Sequence, residues 1–533
     1  MKRSRTALLA VIFFVIIIWE SNSSLAYYET FTQCLTTNSD PKHPISPAVL
    51  YAGNRSYSSV LEANIHNLRL NSSTTPKPFL IIAATHESHV QAAVTCGKRH
   101  NLQMKIRSGG HDYDGLSYVS YSGHPFFVLD MFNLRSVDVD LASKTAWVQS
   151  GAILGEVYYH IWEKSKTLAY PAGVCPTVGV GGHISGGGYG NMMRKYGLTI
   201  DNTVDARMVD VNGKILDRKL MGEDLFWAIN GGGGGSFGVV LAYRINLVEV
   251  PETVTVFRVT RTLEQNATEI VHRWQHVAPD LPDEIFIRTT MEVVNGTVSS
   301  QKTVRATFLA LFLGDASTLL SILNRRLPEL GLVRSDCTET SWIQSVLFWT
   351  NVQVGTPEKV LLERNKILRY LKRKSDFVLE PISRTGLDSI WRKMIELETP
   401  TALAFNPYGG MMAKISPTAT PFPYRAGNLC KIQYFTDWRD DRLTNRYMEL
   451  TRKLYRFMTP FVSKNPRQSF FNYRDIELGT NSHKIRSYVE GKRYGEKYFA
   501  GNFERLVEIK TRVDSGNFFR NENSIPVKPY FSS

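Results

Sequence analysis

The chain has 533 residues, 43% of them hydrophobic, which is long enough to bury a large core and to hold more than one domain. Its formal net charge is +14, from 63 Lys and Arg against 49 Asp and Glu. This balance excludes an acidic disordered chain and a low-complexity one, and it describes a basic globular protein suited to acidic polymers or surfaces.

The first predicted element is a secretory signal. Lys2, Arg3 and Arg5 precede an apolar run from Ala7 to Trp19, followed by a polar stretch ending Ser24-Leu25-Ala26. A basic start, an apolar centre and a small-residue site predict a signal peptide over 1–26, cleaved after Ala26. The apolar run falls short of the roughly 20 residues that span a bilayer, so no membrane anchor is expected. Loss of this segment leaves a mature charge of +12. Outside the cell nucleic acid is not an expected partner; the charge reads either as a site for acidic wall polysaccharide or as a solvated surface with excess lysine. Five cysteines leave at least one unpaired in an oxidising compartment. A bridge between Cys34 and Cys96 would close a loop of about sixty residues, worth about 4 kcal/mol in the chain-entropy picture, but sequence leaves the pairing open. Sequons at Asn54, Asn71, Asn266 and Asn295 predict a glycosylated surface.

Further on, FLIIAA (79–84) reads as a buried strand, and Thr85 as the N-cap of the helix HESHVQAAVTCGKRHN. The strand QMKI then leads into a glycine loop, KIRSGGHDYDGLSY. FFVLD (126–130) and TAWVQSG (145–151) are strands, and GEVYYHIWEKSK is a helix. VDARMVDVNGKILD is a hairpin turning at Asn212-Gly213. GEDLFWAIN is a short helix, GGGGGSFG a loop and VVLAYRINL a strand. Strands and helices mixed through 75–250 predict an α+β layered domain. From Pro251 the texture changes to alternating strands (TVTVFRVTRT, FIRTTMEVV, KTVRATFLALFLG) separated by helical segments. These include DASTLLSILNRRLPEL, GLDSIWRKMIEL and NRYMELTRKLYRFMTPFVS. That pattern predicts a second α+β domain, an antiparallel sheet covered by helices. The tail KYFAGNFERLVEIKTRVDSGNFF reads as a helix and turns that return to the first domain.

The stretch that carries chemistry is PAGVCPTVGVGGHISGGGYG (171–190), in which seven glycines follow Cys175. Glycine lets the backbone approach a ligand, and successive N–H groups form an anion-binding concavity. With the loop carrying His111, two glycine loops each present one nucleophile, as expected of a grip on a large phosphate-bearing cofactor. The candidate cofactor residues are Arg107, Ser108, Gly109, Gly110 and His111 from the first loop. The second loop gives Cys175, Val178, Gly179, Gly182, His183, Gly186 and Gly187. Gly233 to Gly238 fits GxGxxG, but a helix precedes it and a strand follows, which rejects a nicotinamide fingerprint. Neither a Walker A loop nor a GxSxG elbow is present, and the His and Cys residues are too scattered for a recognisable zinc site; no metal is expected.

RSGGHDY (107–113), GVCPTVGVGGHISGGGYG (173–190), DLFWAINGGGGGSFGVV (224–240) and NYRDIELG (472–479) resemble the plant berberine bridge enzyme-like flavoproteins. NPYGG, PFPYRAGN and the tail NFFR-x-E-x-SIP match as well. The resemblance covers nearly the whole mature chain. It implies a fold of the vanillyl-alcohol-oxidase type: an FAD-binding domain (27–250), a substrate domain (251–470) with an antiparallel sheet, and a C-terminal segment (471–533) returning to the FAD domain. It also implies FAD held covalently twice, by His111 at the 8α carbon and Cys175 at C6. Imidazole and thiolate are side-chain nucleophiles suited to electrophilic positions of a flavin. Val178 matches the family's gatekeeper beside the flavin, where valine goes with oxygen access. Tyr473 matches the catalytic tyrosine. Lys431 and Gln433, alternating in CKIQY, share one sheet face, and Tyr113 and Tyr189 complete a polar wall. The chain departs from the family at Asn230, usually arginine, at Tyr424, usually the histidine of PFPHR, and at Cys430, usually bulky and apolar. The first bears on packing of the cofactor domain; the other two bear on specificity at the substrate sheet.

The expected activity is that of an extracellular, monomeric FAD-linked oxidase taking hydride from an alcohol carbon and passing electrons to O2, giving H2O2. Its substrate is either a reducing-end sugar hemiacetal or a monolignol-type allylic alcohol. Alkaloid ring closure is disfavoured, because Gln433 stands where that chemistry uses a glutamate base. Two other readings remain: a dehydrogenase with a non-oxygen acceptor, and a flavin-retaining glycoprotein with a binding or defence role.

Overall fold

The computed structural model describes residues 28–296, 301–365, 368–484 and 486–529. The predicted signal peptide lies outside the described residues. Residues 28–38 are helical, and Cys34 near their end is disulfide-bonded to Cys96 in the helix Glu87–Arg99. That helix begins one residue later than a Thr85 cap implies. His86 is the cap instead, its ring nitrogen accepting from the Ser88 N–H. Asn71, Asn266 and Asn295 are exposed, and Asn54 is half-buried, its side-chain oxygen accepting from the Tyr51 N–H.

Three sheets organise the molecule. The first has four strands in the order Val49–Tyr51, Leu80–Ala83, Phe126–Asp130, Gln103–Arg107, the last three parallel. Its LIIA strand and its FFVLD strand, apolar but for Asp130, are buried throughout, as parallel strands covered on both faces require. The second sheet is antiparallel and five-stranded, and contains Thr145–Gln149, Val239–Asn246 and the expected hairpin around Gly213. The first glycine loop follows the strand Gln103–Arg107, and the second follows Leu168–Ala169, which pairs with Val248–Glu249 in a separate two-stranded ribbon.

A third, seven-stranded sheet spans Val254 to Trp438 and is antiparallel throughout. Alternation sorts its two faces. Phe257, Ile287, Phe405 and Ile432 face helices that contribute Trp274, Leu387, Trp391 and Leu454. Val256, Phe286, Leu311 and Phe377 join the core that also holds Val180, Ile184 and Tyr189 of the second glycine loop. One strand, Tyr370–Val378, carries no sequence signal, because its centre is Lys372, Arg373 and Lys374. All three are at most 5% exposed.

The tail forms two helices, Ser487–Phe499 and Phe503–Val513, rather than one, with a break at Ala500, whose φ of 44° is left-handed. Tyr494, Tyr498, Phe503 and Leu506 pack into the core of the second glycine loop, and Phe518 and Phe519 into the core of the first sheet. A buried Lys105–Glu522 ion pair of 2.7 Å ties this end to the first sheet. Among the described residues no helix is long and apolar enough to cross a membrane.

Candidate functional site

The two glycine loops meet back to back. A Cβ on Gly109 would lie 2.4 Å from the Gly179 nitrogen, and one on Gly179 would lie 2.2 Å from the Gly109 nitrogen. Only two glycines allow the loops this close. Their approach brings His111 and Cys175 together: the Thr177 hydroxyl stands 3.1 Å from His111 Nε2 and 3.6 Å from Cys175 Sγ. The His111 ring also stacks on His66 with centroids 3.8 Å apart. Burial, and then the His66 charge, hold His111 well below the ordinary histidine range, so its imidazole is neutral. The Cys175 thiol is unpaired and exposed.

Between the loops and the third sheet lies a cavity of about 360 Å³. Ser108, Gly109, Gly110, His111, Cys175, Val178, Gly179, Gly182, His183 and Gly186 line it, so most of the expected cofactor residues converge there. Two do not. Arg107 is turned away by strand alternation, fully buried, with its guanidinium on Asp130 (2.6 Å) and the backbone oxygens of Leu61 and Val60. It therefore holds the loop's root and does not touch a ligand. Gly187, at φ 115°, faces Phe470 and Asn472 instead of the cavity. His183 lines the cavity, but its Nε2 accepts from the Gly173 N–H and lies 3.1 Å from the Thr199 hydroxyl. Burial, followed by the Lys431 charge, pushes that ring down to about 3, so it is a neutral brace inside the loop.

The cavity fits a ligand with both polar and planar parts. The Ser117 and Ser150 hydroxyls line it, buried and without hydrogen-bond partners among the described residues. A side chain at Gly182 would meet nothing within 4 Å and would fill the space a ligand needs.

On the sheet side the expected polar wall is assembled. Tyr473 and Tyr189 share a hydrogen bond between their hydroxyls, and Gln433 donates to the Tyr113 hydroxyl at 3.0 Å. Lys431 is fully buried with no hydrogen-bond partner among the described residues, its Nζ 3.2 Å from the Tyr189 ring centroid, 3.5 Å from that of Phe470 and 5.0 Å from that of Tyr473. The ammonium thus stands over Tyr189 and reaches Tyr473 chiefly through it. Burial pushes the Tyr473 phenol well up, and Tyr189 adds to this. Burial likewise pushes Lys431 well down, and Arg288 adds to that.

Several residues here escaped the sequence. Arg288 lines the cavity, fixed by a 2.7 Å bond from Nε to the Asn406 side-chain oxygen, and its charge draws Tyr473 downward. Its strand was legible in FIRTTMEVV, but no motif marks the residue. Asn472 clamps the second loop with one amide, accepting from Gly188 N–H (2.8 Å) and donating to the oxygens of Gly182 (3.0 Å) and His183 (3.3 Å). Arg474 pairs with Asp112 at 3.0 Å, tying the neighbour of Tyr473 to the neighbour of His111. The residues that depart from the resembled pattern lie outside the cavity lining. Tyr424 hydrogen-bonds the Lys497 carbonyl and packs on Phe377, Cys430 is buried under the covering helices, and Asn230 donates to the Ile200 carbonyl at 3.1 Å. Tyr424 and Cys430 therefore do not set specificity by contact.

A family model of the FAD binding domain matches residues 78–218, and one for berberine and berberine-like proteins matches 469–526. With this fold and this two-loop cavity, the chain is an FAD-binding oxidoreductase. Berberine bridge enzyme-like 8 of Arabidopsis thaliana is 83% identical over 98% of this chain and 99% of its own. Among solved structures, wild-type Phl p 4.0202, a glucose dehydrogenase, and an isoleucine-to-valine variant of Phl p 4, a glucose oxidase, are both similar. Each is 42% identical with a TM-score of 0.88, covering 94% of this chain and 100% of its own. Berberine bridge enzyme from Eschscholzia californica is 37% identical, with a TM-score of 0.87 over 94% of this chain and all of its own. The chain belongs to the berberine bridge enzyme-like family.

Proposed function

We propose that the protein is a secreted oxidase that removes hydride from the anomeric carbon of a reducing-end sugar, with Tyr473 as base. The carrying observation is the Tyr473–Tyr189 pair beneath Lys431, facing the cavity that His111 and Cys175 line from the other side. FAD supplies the hydride acceptor. His111 and Cys175 would hold it covalently, and the unpartnered Ser117 and Ser150 hydroxyls would bond its polar parts.

The substrate hydroxyl must lose its proton as hydride leaves, and a base must stand within hydrogen-bond reach. A phenol near 10 is a poor base at neutral pH. Buried alone, Tyr473 phenolate and Lys431 ammonium are each disfavoured; formed together they attract through a low dielectric, so the titration belongs to the pair. Tyr189 shares a hydrogen bond with Tyr473 and lies with its ring face under Lys431, so the lysine acts on the phenols through its charge and not by proton relay. Gln433, Tyr113 and Arg288 supply donors for a substrate rich in hydroxyls, which supports a sugar over an allylic alcohol. The activities of the two Phl p 4 forms, both on glucose, support the same class.

Anaerobic exposure of the purified protein to reducing sugars, oligosaccharides and aromatic alcohols tests this. Sugars should bleach the flavin; bleaching by aromatic alcohols alone would favour the monolignol reading, and by none a binding role. Flavin should stay with the denatured polypeptide, persist in single His111→Ala or Cys175→Ala variants, and be released only from the double variant. For oxygen, Val178 lines the cavity, and valine in place of isoleucine accompanies oxidase activity in Phl p 4. Reoxidation by O2 should be fast, and Val178→Leu should slow it while sparing reduction. A sluggish unmodified protein would be a dehydrogenase.

A further inference from the structure

A second cavity, of about 330 Å³, lies on the opposite face of the same sheet edge. Lys374 pairs in register with Tyr434, one position from Gln433, so the pleat sends it away from the face that carries Lys431 and Gln433. Lys374, Arg452, Arg456, Arg467 and Lys497 line this cavity, with Glu477 as its one acid. They come from four separate segments: one strand, the helix Thr444–Phe457, the chain after it, and the helix Ser487–Phe499.

Four of the five cations are matched to carboxylates. Lys374 pairs with Asp475 (2.6 Å) and Glu477 (2.7 Å), and Arg452 with Glu477 (2.8 Å). Arg456 pairs with Glu449 (2.8 Å) and Arg467 with buried Asp376 (2.6 Å). Lys497 is the exception: half-buried, its ammonium makes no hydrogen bond or ion pair among the described residues. Its proton affinity is lowered, first by burial and then by the Arg467 charge. The helix end that bears it is fixed, because the Lys497 carbonyl accepts from the Tyr424 hydroxyl and the Ser469 N–H. Arg452 and Arg456, one helical turn apart, line the same cavity, and guanidinium forks match the paired oxygens of a carboxylate, sulfate or phosphate.

We propose that this cavity is a binding site for a single oxyanion, a carboxylate, sulfate or phosphate group, that neutralises Lys497 and is clasped by Arg452 and Arg456. The two sources of that chemistry are a uronic acid unit of an acidic polysaccharide and a free inorganic anion. The site is distinct from the FAD cavity and does not depend on the reaction proposed for it. Glu477, which shares its cations, follows Tyr473 by four residues, so an occupant would bear on the segment that carries the base.

Titration calorimetry of the flavin-loaded protein at constant ionic strength tests this with sulfate, phosphate, glucuronate and a polyuronate oligomer. One saturable site is expected. Lys497→Met should weaken it at least tenfold with the flavin spectrum unchanged, whereas Lys492→Met, on the same helix but outside the cavity, should bind as the unmodified protein does. Should Lys497→Met fail to fold, Arg456→Gln replaces it, with about a threefold weakening expected. Tighter binding of the polyuronate than of sulfate, lost in Lys497→Met, identifies an acidic-polysaccharide site; equal binding identifies a free-anion site. No saturable binding by any probe, or unchanged binding in the variants, would overturn the proposal.

Discussion

Two buried lysines on one sheet behave in opposite ways. Lys431 and Lys372 are both at most 2% exposed, on neighbouring strands. Burial disfavours the charge of each. For Lys372 that cost is outweighed by Asp114 (3.5 Å), Asp475 (2.7 Å) and Glu477 (3.8 Å), and its proton affinity ends up raised. Lys431 has no carboxylate, only aromatic faces, and ends up well below the ordinary lysine range. The first joins the substrate sheet to the cofactor loop and to the segment after Tyr473. The second stands beside two phenols with no carboxylate, so that charging it is costly for stability unless a phenolate forms with it, an arrangement useful for proton removal. A buried cation's partners, more than its burial, separate framework from chemistry.

The largest expected effect lies on the Lys431 side. Tyr473→Phe keeps the ring and removes the hydroxyl, so flavin should bind normally while its anaerobic reduction slows by about 10²–10⁴, the range for losing a general base. Reduction at the unmodified rate, followed by stopped flow, would move the base elsewhere.

On the framework side, Lys372→Met leaves Asp114 and Asp475 buried without their main counter-charge. It should cost about 3–5 kcal/mol, the usual penalty for breaking one partner out of a buried pair, read as a drop in unfolding midpoint. Lys431→Met removes a buried amine with no hydrogen-bond partner among the described residues, and stability should stay level or rise. The pH profile of flavin reduction should shift upward in that variant, since the phenolate loses its cation. Equal destabilisation by the two substitutions would break the comparison.

A smaller effect should appear in acid. Burial pushes the Asp475 carboxyl up, but Lys372 and Lys374 outweigh it and hold the group at about 2. Its unfolded value is near 3.9, so its contribution is complete above about pH 4 and is lost as pH falls towards 2. Asp114, pushed up by burial, works against this and reduces the slope. An acid-unfolding series on Asp475→Asn should be flatter between pH 4 and 2 than that of the unmodified protein.

The sequence by itself determined the glycine loops and their nucleophiles, the layered α+β plan and the polar wall. Each of these is local: glycine permits the close approach at 109 and 179, strand alternation places 431 and 433 on one face, and a short motif fixes Tyr473. The strand Tyr370–Val378 was illegible because three consecutive charges read as solvated chain, and only carboxylates 64 to 103 residues away make their burial possible. The same reason hid the outward turn of Arg107, whose Asp130 partner lies on an adjoining strand. It also hid that Lys431 stands over Tyr189, that Arg288 enters the cavity, and that Lys497 is left unmatched. Local spacing fixes which side chains share a face, whereas which charges are compensated depends on segments that meet only when the chain is folded.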